Sequence, residues 1–402
     1  MFGMLSKREP RQDHSLRLVG IDLNATRVRA AVAGEGRTRS LPLDDGGEEL
    51  PLFLDLAQRI PKAGAEAVGL CRLLPHLVCS NFLASLGSPH EWRGGQHTLT
   101  PETALRHTFD RLQTPISAET DSAGLSLPAY LSQAQVRAVL GLAHAAKLPV
   151  RGSASAPLAL AAHRAGSLDG PATLLIVDAD EYALAGTVLQ VGTDDVRIVE
   201  SGFWPQASLR NWKNRLLDGM SDHCVRTCRR DPRDSAEAEQ GMYDRLDALM
   251  EQARTGQVAS MPIRGEHWFQ DLAQTPEQVE GHCAGLLNIA GEGLSRLLVS
   301  AALESPPQAV WLTHTAGRLP GLAAKIHRNS PERTAISILP ANAAAEAVAA
   351  LLPRWLQGTL PRLHLDSVLP FAKPPQGPSL PPIFIGGVPS KPALQSSTRS
   401  DH

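Results

Sequence analysis

The chain has 402 residues, 43% of them hydrophobic, with a formal net charge of -2 and a pI near 6.7. That length allows two or three domains and a sizeable core. The near-neutral charge argues against nucleic acid and membrane surfaces as partners, since both select a basic footprint.

In chain order, residues 1–15 are polar and charged, without the apolar stretch of a signal peptide, and are expected to be a flexible lead-in. Leu16–Leu23 and Val28–Val32 read as two strands around an Asn24-Ala25-Thr26 turn. Pro101–Leu112 reads as a helix with Thr100 as N-cap and Glu102 in its first turn. A short strand at Leu125–Leu127 precedes an Ala/Leu-rich helix at Ser132–Ala146 and a second helix at Leu158–Arg164. Leu174–Val177 is an apolar strand ending at Asp178, with further strands at Ala183–Val191 and Val196–Glu200. Residues 207–256 and 277–304 read mainly as helix, with Trp204 and Trp212 expected on one helix or loop edge. Val310–Thr313 is a buried strand, and helices follow from about Pro320 and from Glu346. Beyond Pro361 prolines crowd the chain, so residues 359–402 are expected to be an extended or disordered tail.

No stretch reaches the roughly 18 consecutive apolar residues of a membrane-spanning helix. The five cysteines, Cys71, Cys79, Cys224, Cys228 and Cys283, form an odd, sparse set that suits a reducing cytoplasm. His223, Cys224 and Cys228 cluster, but one Cys-x3-Cys pair falls short of the four ligands of a structural zinc.

The chain thus has two strand-first halves, each opening on a strand, an acidic residue and a tight turn. The expected class is α/β, built from two duplicated lobes around a cleft. Lobe I would span 16–166 with a closing helix at about 343–358, and lobe II would span 167–342.

The segment LPAYLSQAQVRAVLGLAHAAKLPVRGSASAP, Leu127–Pro157, is similar without gaps to one in the DnaK-type heat-shock chaperones, which have the actin-like ATPase fold. Four further places, in the expected order, resemble that family. Gly20-Ile21-Asp22-Leu23 and Ile176-Val177-Asp178 resemble its two phosphate motifs. Glu251–Arg254 resembles its adenosine-contacting helix, and Leu312–Pro320 its last adenosine loop. The resemblance covers about Arg17–Leu352. It implies RNase-H-like lobes and ATP or ADP held with magnesium at the cleft floor. Asp22 and Asp178 would hold the metal through water, Thr26 would bond phosphate, and Glu251, Arg254 and Arg318 would meet the nucleoside.

Several residues depart from that pattern. Asn24 stands for a first-turn glycine and can substitute by taking a left-handed conformation. Three glycines of the second turn become Asp180, Glu181 and Tyr182, placing two carboxylates against a polyanion. One such contact at about 4 Å costs roughly 1 kcal/mol in water and several near a protein surface. The linking Glu-Pro becomes Ala156-Pro157, and Cys71 takes the place of the lysine. His314-Thr315 replaces a glycine pair.

Plainer readings stand beside these. Asp22 and Asp178 are equally strand-end turn residues, and Thr26 a turn-capping hydroxyl. Glu251 and Arg254 also read as a solvated i,i+3 pair, and Arg318 as a structural loop arginine.

Three functions remain. One is a non-catalytic chaperone-like scaffold or partner-binding module with at most weak affinity for ATP or ADP. Another is a working ATPase of the same type, acting with a separate substrate-binding partner because only some fifty residues follow Leu352. The third is another actin-like role, in cell division, pilus assembly or sugar phosphorylation. The first is preferred, with an unidentified protein partner and a cytoplasmic location.

Overall fold

In a computed structural model, residues 17–34 and 37–371 are described. The expected lead-in and the tail beyond Phe371 lie outside them. The chain is mixed α/β.

Strands β1 (Leu18–Leu23) and β2 (Arg27–Gly34) form an antiparallel hairpin, continued by β3 (Arg37–Ser40). After several short strands between residues 49 and 99 comes α1 (Pro101–Glu119). The Thr100 side chain accepts from Thr103 N–H and caps it, as its sequence signals. β4 (Ala123–Leu127) then pairs in parallel with β1, and β5 (Val150–Ser155) in parallel with β4. Between them lies α2 (Gln133–Ala145), opened by a capping box of Ser132 and Gln135. The strand order is β3-β2-β1-β4-β5.

After α3 (Ala156–Arg164), the plan repeats. β6 (Ala172–Ala179), β7 (Leu184–Val191) and β8 (Asp195–Trp204) are antiparallel neighbours. Helices α4 (Leu209–Cys228), α5 (Ala236–Tyr243) and α6 (Leu246–Arg254) follow. Next come a hairpin, Ala259–Gly265 with Trp268–Gln274, and α7 (Ala284–Ser300). β9 (Ala309–Leu312) is parallel to β6. Past α8 (Leu322–Asn329), β10 (Ala335–Ile338) is parallel to β9. The order β8-β7-β6-β9-β10 mirrors that of the first sheet.

Glycines let the helices lie close on these sheets. Gly20, Gly124 and Gly152 sit side by side on β1, β4 and β5. A Cβ on Gly20 would come within 1.8 Å of Ala345 O, and one on Gly152 within 2.4 Å of the Trp355 ring. Both neighbours belong to α9 (Ala343–Leu356), which therefore rests on the first sheet. Paired Gly186 and Gly202 serve α7 and Trp204 in the same way on the second.

Two expectations are corrected. Residues 359–371 are not a free tail. Ser153 N–H donates to Arg362 O and His364 N–H to Ser153 O, along the edge of the first sheet. β11 (Val368–Pro370) then pairs with β8 on the second. Two unpaired sheet edges offer more hydrogen bonds than the prolines of this segment remove. Trp204 and Trp212 do not share an edge either. Trp204 ends β8 against Gly293 of α7, while Trp212 is buried in α4 with its indole N–H on Ala207 O.

No described helix is long and apolar enough to cross a membrane. Cys224 and Cys228 place their sulfurs 3.5 Å apart on α4. No group of three or more His, Cys, Asp or Glu suited to a metal occurs among the described residues.

Candidate functional site

The β1–β2 turn of the first sheet and the β6–β7 turn of the second meet and share one design; the segments before and after about residue 166 are called lobe I and lobe II below for reference. Asn24 Oδ1 accepts from Thr26 N–H (3.0 Å) and Arg27 N–H (3.1 Å), and Asn24 N–H donates to Arg27 O. Asp180 Oδ1 accepts from Tyr182 N–H (2.9 Å) and Ala183 N–H (3.0 Å), and Asp180 N–H donates to Ala183 O. Each is a turn closed by its own side chain. Neither needs a glycine, because no residue of either turn has positive φ. Asn24 therefore does not adopt the expected left-handed conformation.

The second carboxylate oxygen of Asp180 crosses to lobe I. It accepts from Ala25 N–H at 3.0 Å and from the Tyr130 hydroxyl at 2.5 Å. In return, Glu181 N–H donates to Thr26 Oγ at 2.9 Å. The two acids thus do not stand across a gap awaiting a polyanion. Asp180 is buried and spends both oxygens on four donors. Burial pushes its carboxyl upward in pKa, and those bonds oppose the shift. Burial first, and then the Asp180 charge, pushes the Tyr130 hydroxyl upward.

Behind the turns, Asp22 pairs with Arg27 at 3.0 Å, their side chains 9% and 7% exposed. Asp178 accepts from Thr313 Oγ at 2.6 Å and from Ala179 N–H at 2.8 Å. Burial, the largest influence, raises its pKa to about 7; the Thr313 bond opposes this, and Asp180 and Asp22 add to it. His314 is pushed down to about 4 by burial and then by Arg318, Arg29 and Arg27. Asp22, Asp178, Arg27 and His314 line a cavity of about 30 Å³, room for one or two waters.

The remaining residues singled out from the sequence separate. Arg318 joins Thr26 around a cavity of about 100 Å³, together with Arg27, Lys213, Tyr243 and Asp247. Its guanidinium lies 3.4 Å from Asp247. Glu251 and Arg254 do not line that cavity. They pair with each other through bonds of 2.9 and 2.5 Å on the exposed end of α6. Arg254 is the main cause of the lowered Glu251 carboxyl.

Lys213 was not foreseen. It interrupts an apolar stripe on α4, between Leu209 and Trp212 on one side and Leu216 and Leu217 on the other, and a cation at that spacing is a readable anomaly. It lies 3.3 Å from Asp247 and 3.9 Å from Glu181. Burial alone would lower its pKa; Asp247, Tyr243 and Glu181 together raise it.

The cleft is also closed at its mouth. Arg72 N–H donates to Gln240 Oε1 (2.7 Å), and Gln240 Nε2 to Val68 O (3.1 Å). The Arg72 guanidinium reaches Asn214 Oδ1 (2.5 Å), and Arg210 reaches Ser80 Oγ (3.3 Å). Cys71 lies alongside, its thiol pushed up to about 12 by burial and then by Glu181.

The residues present do not fit a magnesium-bound triphosphate. Asp22 is paired with Arg27, and the space beside Asp178 has room for one or two waters. The N–H of Ala25 is already spent on Asp180. A hydrated magnesium keeps several waters at about 2.1 Å and needs more room than this. Comparison with protein-family models and with curated proteins finds no match to this chain.

Proposed function

We propose that the chain is a DnaK-type protein of actin-like fold that serves in the cytoplasm as a non-catalytic scaffold. Its closed cleft holds two lobes in a set arrangement for a protein partner. The repeated strand order and the twinned turns support the fold reading. The observation that carries the function is the Asp180 carboxylate seated on Ala25 N–H, where the family would bring phosphate.

Magnitudes favour a silent cleft. Among the hydrogen bonds between the lobes, seven lie at the two turns and at the mouth: Ala25–Asp180, Tyr130–Asp180, Glu181–Thr26, Arg72–Gln240, Gln240–Val68, Arg72–Asn214 and Arg210–Ser80. At about 1 kcal/mol each, they rival the roughly 8 kcal/mol of a micromolar nucleotide. A phosphate seated on the turns would have to displace the three bonds made there before gaining the Ala25 N–H.

Calorimetric titration with ATP and ADP in the presence of magnesium tests this. The wild type is expected to give no heat of binding, and Asp180→Gly/Glu181→Gly/Tyr182→Gly is expected to bind. Steady ATP hydrolysis by the wild type, abolished by Asp178→Asn, would instead establish the working ATPase with a separate substrate-binding partner.

A further inference from the structure

One edge of the second sheet is only partly covered. β11 pairs with Asp195–Arg197 of β8, and Ile198 N–H donates to Ser367 O at 2.7 Å. From Val199 to Trp204 no described strand pairs with the outer side of β8. Those six residues include no lysine or proline, with which proteins commonly blunt an open edge. Ser201 N–H has turned to the neighbouring Glu200 carboxylate, at 3.1 Å, in place of a strand carbonyl.

The two faces of this edge differ. On one, Phe203 is 46% exposed. Its ring lies 6.0 Å from that of Tyr130 and 6.2 Å from that of Tyr182, and the tyrosine rings are 5.0 Å apart. The rings pack on one another, so they present an outer apolar face and no cage for a small molecule. Val199, left unmatched by the register shift between Val188 and Leu189, is 38% exposed. On the other face, Glu200 accepts from Ser300 Oγ at 3.3 Å as well as from Ser201 N–H. Arg197 turns to Asp195 at 3.6 Å, so Glu200 has no cation partner among the described residues.

We infer that this edge docks an extended segment of a protein partner. The segment adds a strand beside Val199–Phe203, lays apolar side chains on the Tyr130–Tyr182–Phe203 cluster and sets a basic side chain against Glu200. Main-chain pairing with alternating side-chain contacts is the usual way an open edge takes a peptide. β11 shows that this edge accepts an extended segment, and the free part continues directly from it. Alternation along the added strand sends apolar residues to the Phe203 face and basic ones to the Glu200 face. A second copy pairing through the same edge would bring two Glu200 carboxylates to one face with no cation between them. The surface rests on the scaffold reading, but its test uses no nucleotide, so the two can fail separately.

Fluorescence anisotropy of the full chain with three labelled, capped hexapeptides tests it. The first alternates lysine with phenylalanine or valine. The second has glutamate for lysine. The third keeps the first sequence with N-methylated amides, which cannot donate. The lysine peptide is expected to bind roughly tenfold more tightly than either of the others. Glu200→Lys should reverse the preference toward the glutamate peptide, and Phe203→Ser should weaken the lysine peptide about tenfold. Equal binding of the glutamate or N-methylated peptide, no binding at millimolar peptide, or a dimer in sedimentation that Phe203→Ser disperses would overturn the assignment. The wild-type comparison and Glu200→Lys decide it if the Phe203 variant does not fold.

Discussion

The backbone N–H of Ala25 and the carboxylate of Asp180 lie 155 residues apart in sequence and 3.0 Å apart in space. Through that bond, the β6–β7 turn caps a backbone N–H of the β1–β2 turn. The same carboxylate receives Tyr130 and closes its own turn, so one side chain both shapes lobe II and joins it to lobe I.

Asp180→Ala strands four donors, three of them backbone N–H groups. An unsatisfied buried donor costs about 1–3 kcal/mol, so the variant should lose on the order of 3 kcal/mol or more in urea denaturation. Tyr130→Phe removes one of the four bonds and should lose about 1–2 kcal/mol. A loss below about 0.5 kcal/mol for Asp180→Ala would mean that the lobes are not held there.

Gln240→Ala cuts the mouth contacts to Arg72 N–H and Val68 O without touching the floor. It should cost about 1–3 kcal/mol and speed amide hydrogen exchange around residues 68–72, leaving residues 25–26 protected. Uniform exchange across both regions would show that floor and mouth open as one unit.

Asp178 makes stability depend on pH. Its pKa of about 7 stands above its ordinary value, so between about pH 4 and 7 the folded chain binds more protons there than the unfolded chain. Its contribution is therefore present at low pH and lost as pH rises toward 7, by up to about 1.4 kcal/mol per unit. His314, pushed down to about 4, acts in the opposite sense: its contribution grows as pH rises from about 4 toward 6.5. Asp178→Asn removes only the first effect, so its stability relative to wild type should climb from pH 4.5 to 7.5. Parallel denaturation curves for the two proteins across that range would refute the assignment.

Gly20→Ala places a methyl against Ala345 O and should shift α9 off the first sheet. The loss should be about 2–3 kcal/mol or more, read as a fall in melting temperature. Gly141→Ala, on an exposed face of α2 with nothing within 4 Å, should instead stabilise by about 0.5–1 kcal/mol. Similar effects from both would leave the glycine row without a packing role.

The local elements were legible because their signals are local. Thr100 ahead of Pro101 and Glu102 marks a helix start, and Leu18–Leu23 and Leu174–Val177 are apolar runs that end at acids before turns. Two such halves were enough to expect a mixed α/β chain. Lys213 was visible as a cation on an apolar stripe, but its partners Asp247 and Glu181 come from other elements.

By itself, then, the sequence determined the elements with strong local signals, such as α1 behind Thr100 and the apolar strands before Asp22 and Asp178, since capping and apolar periodicity act over a few residues; the short strands between residues 37 and 99, β5 and the hairpin of Ala259–Gly265 with Trp268–Gln274 carry no such signal and appear only in the fold. Only the tertiary structure decided what the turn residues face. Read along the chain, Asp180 and Glu181 are two acids confronting a phosphate. In the fold, Asp180 turns onto Ala25 and Tyr130, and Glu181 onto Arg210 and Lys213. Likewise, the prolines after Leu360 predict a loose tail, but the open edges of both sheets hold residues 361–371. A buried carboxylate or an open sheet edge takes the nearest available partner, and which partner is nearest is set by packing between lobes rather than by order along the chain.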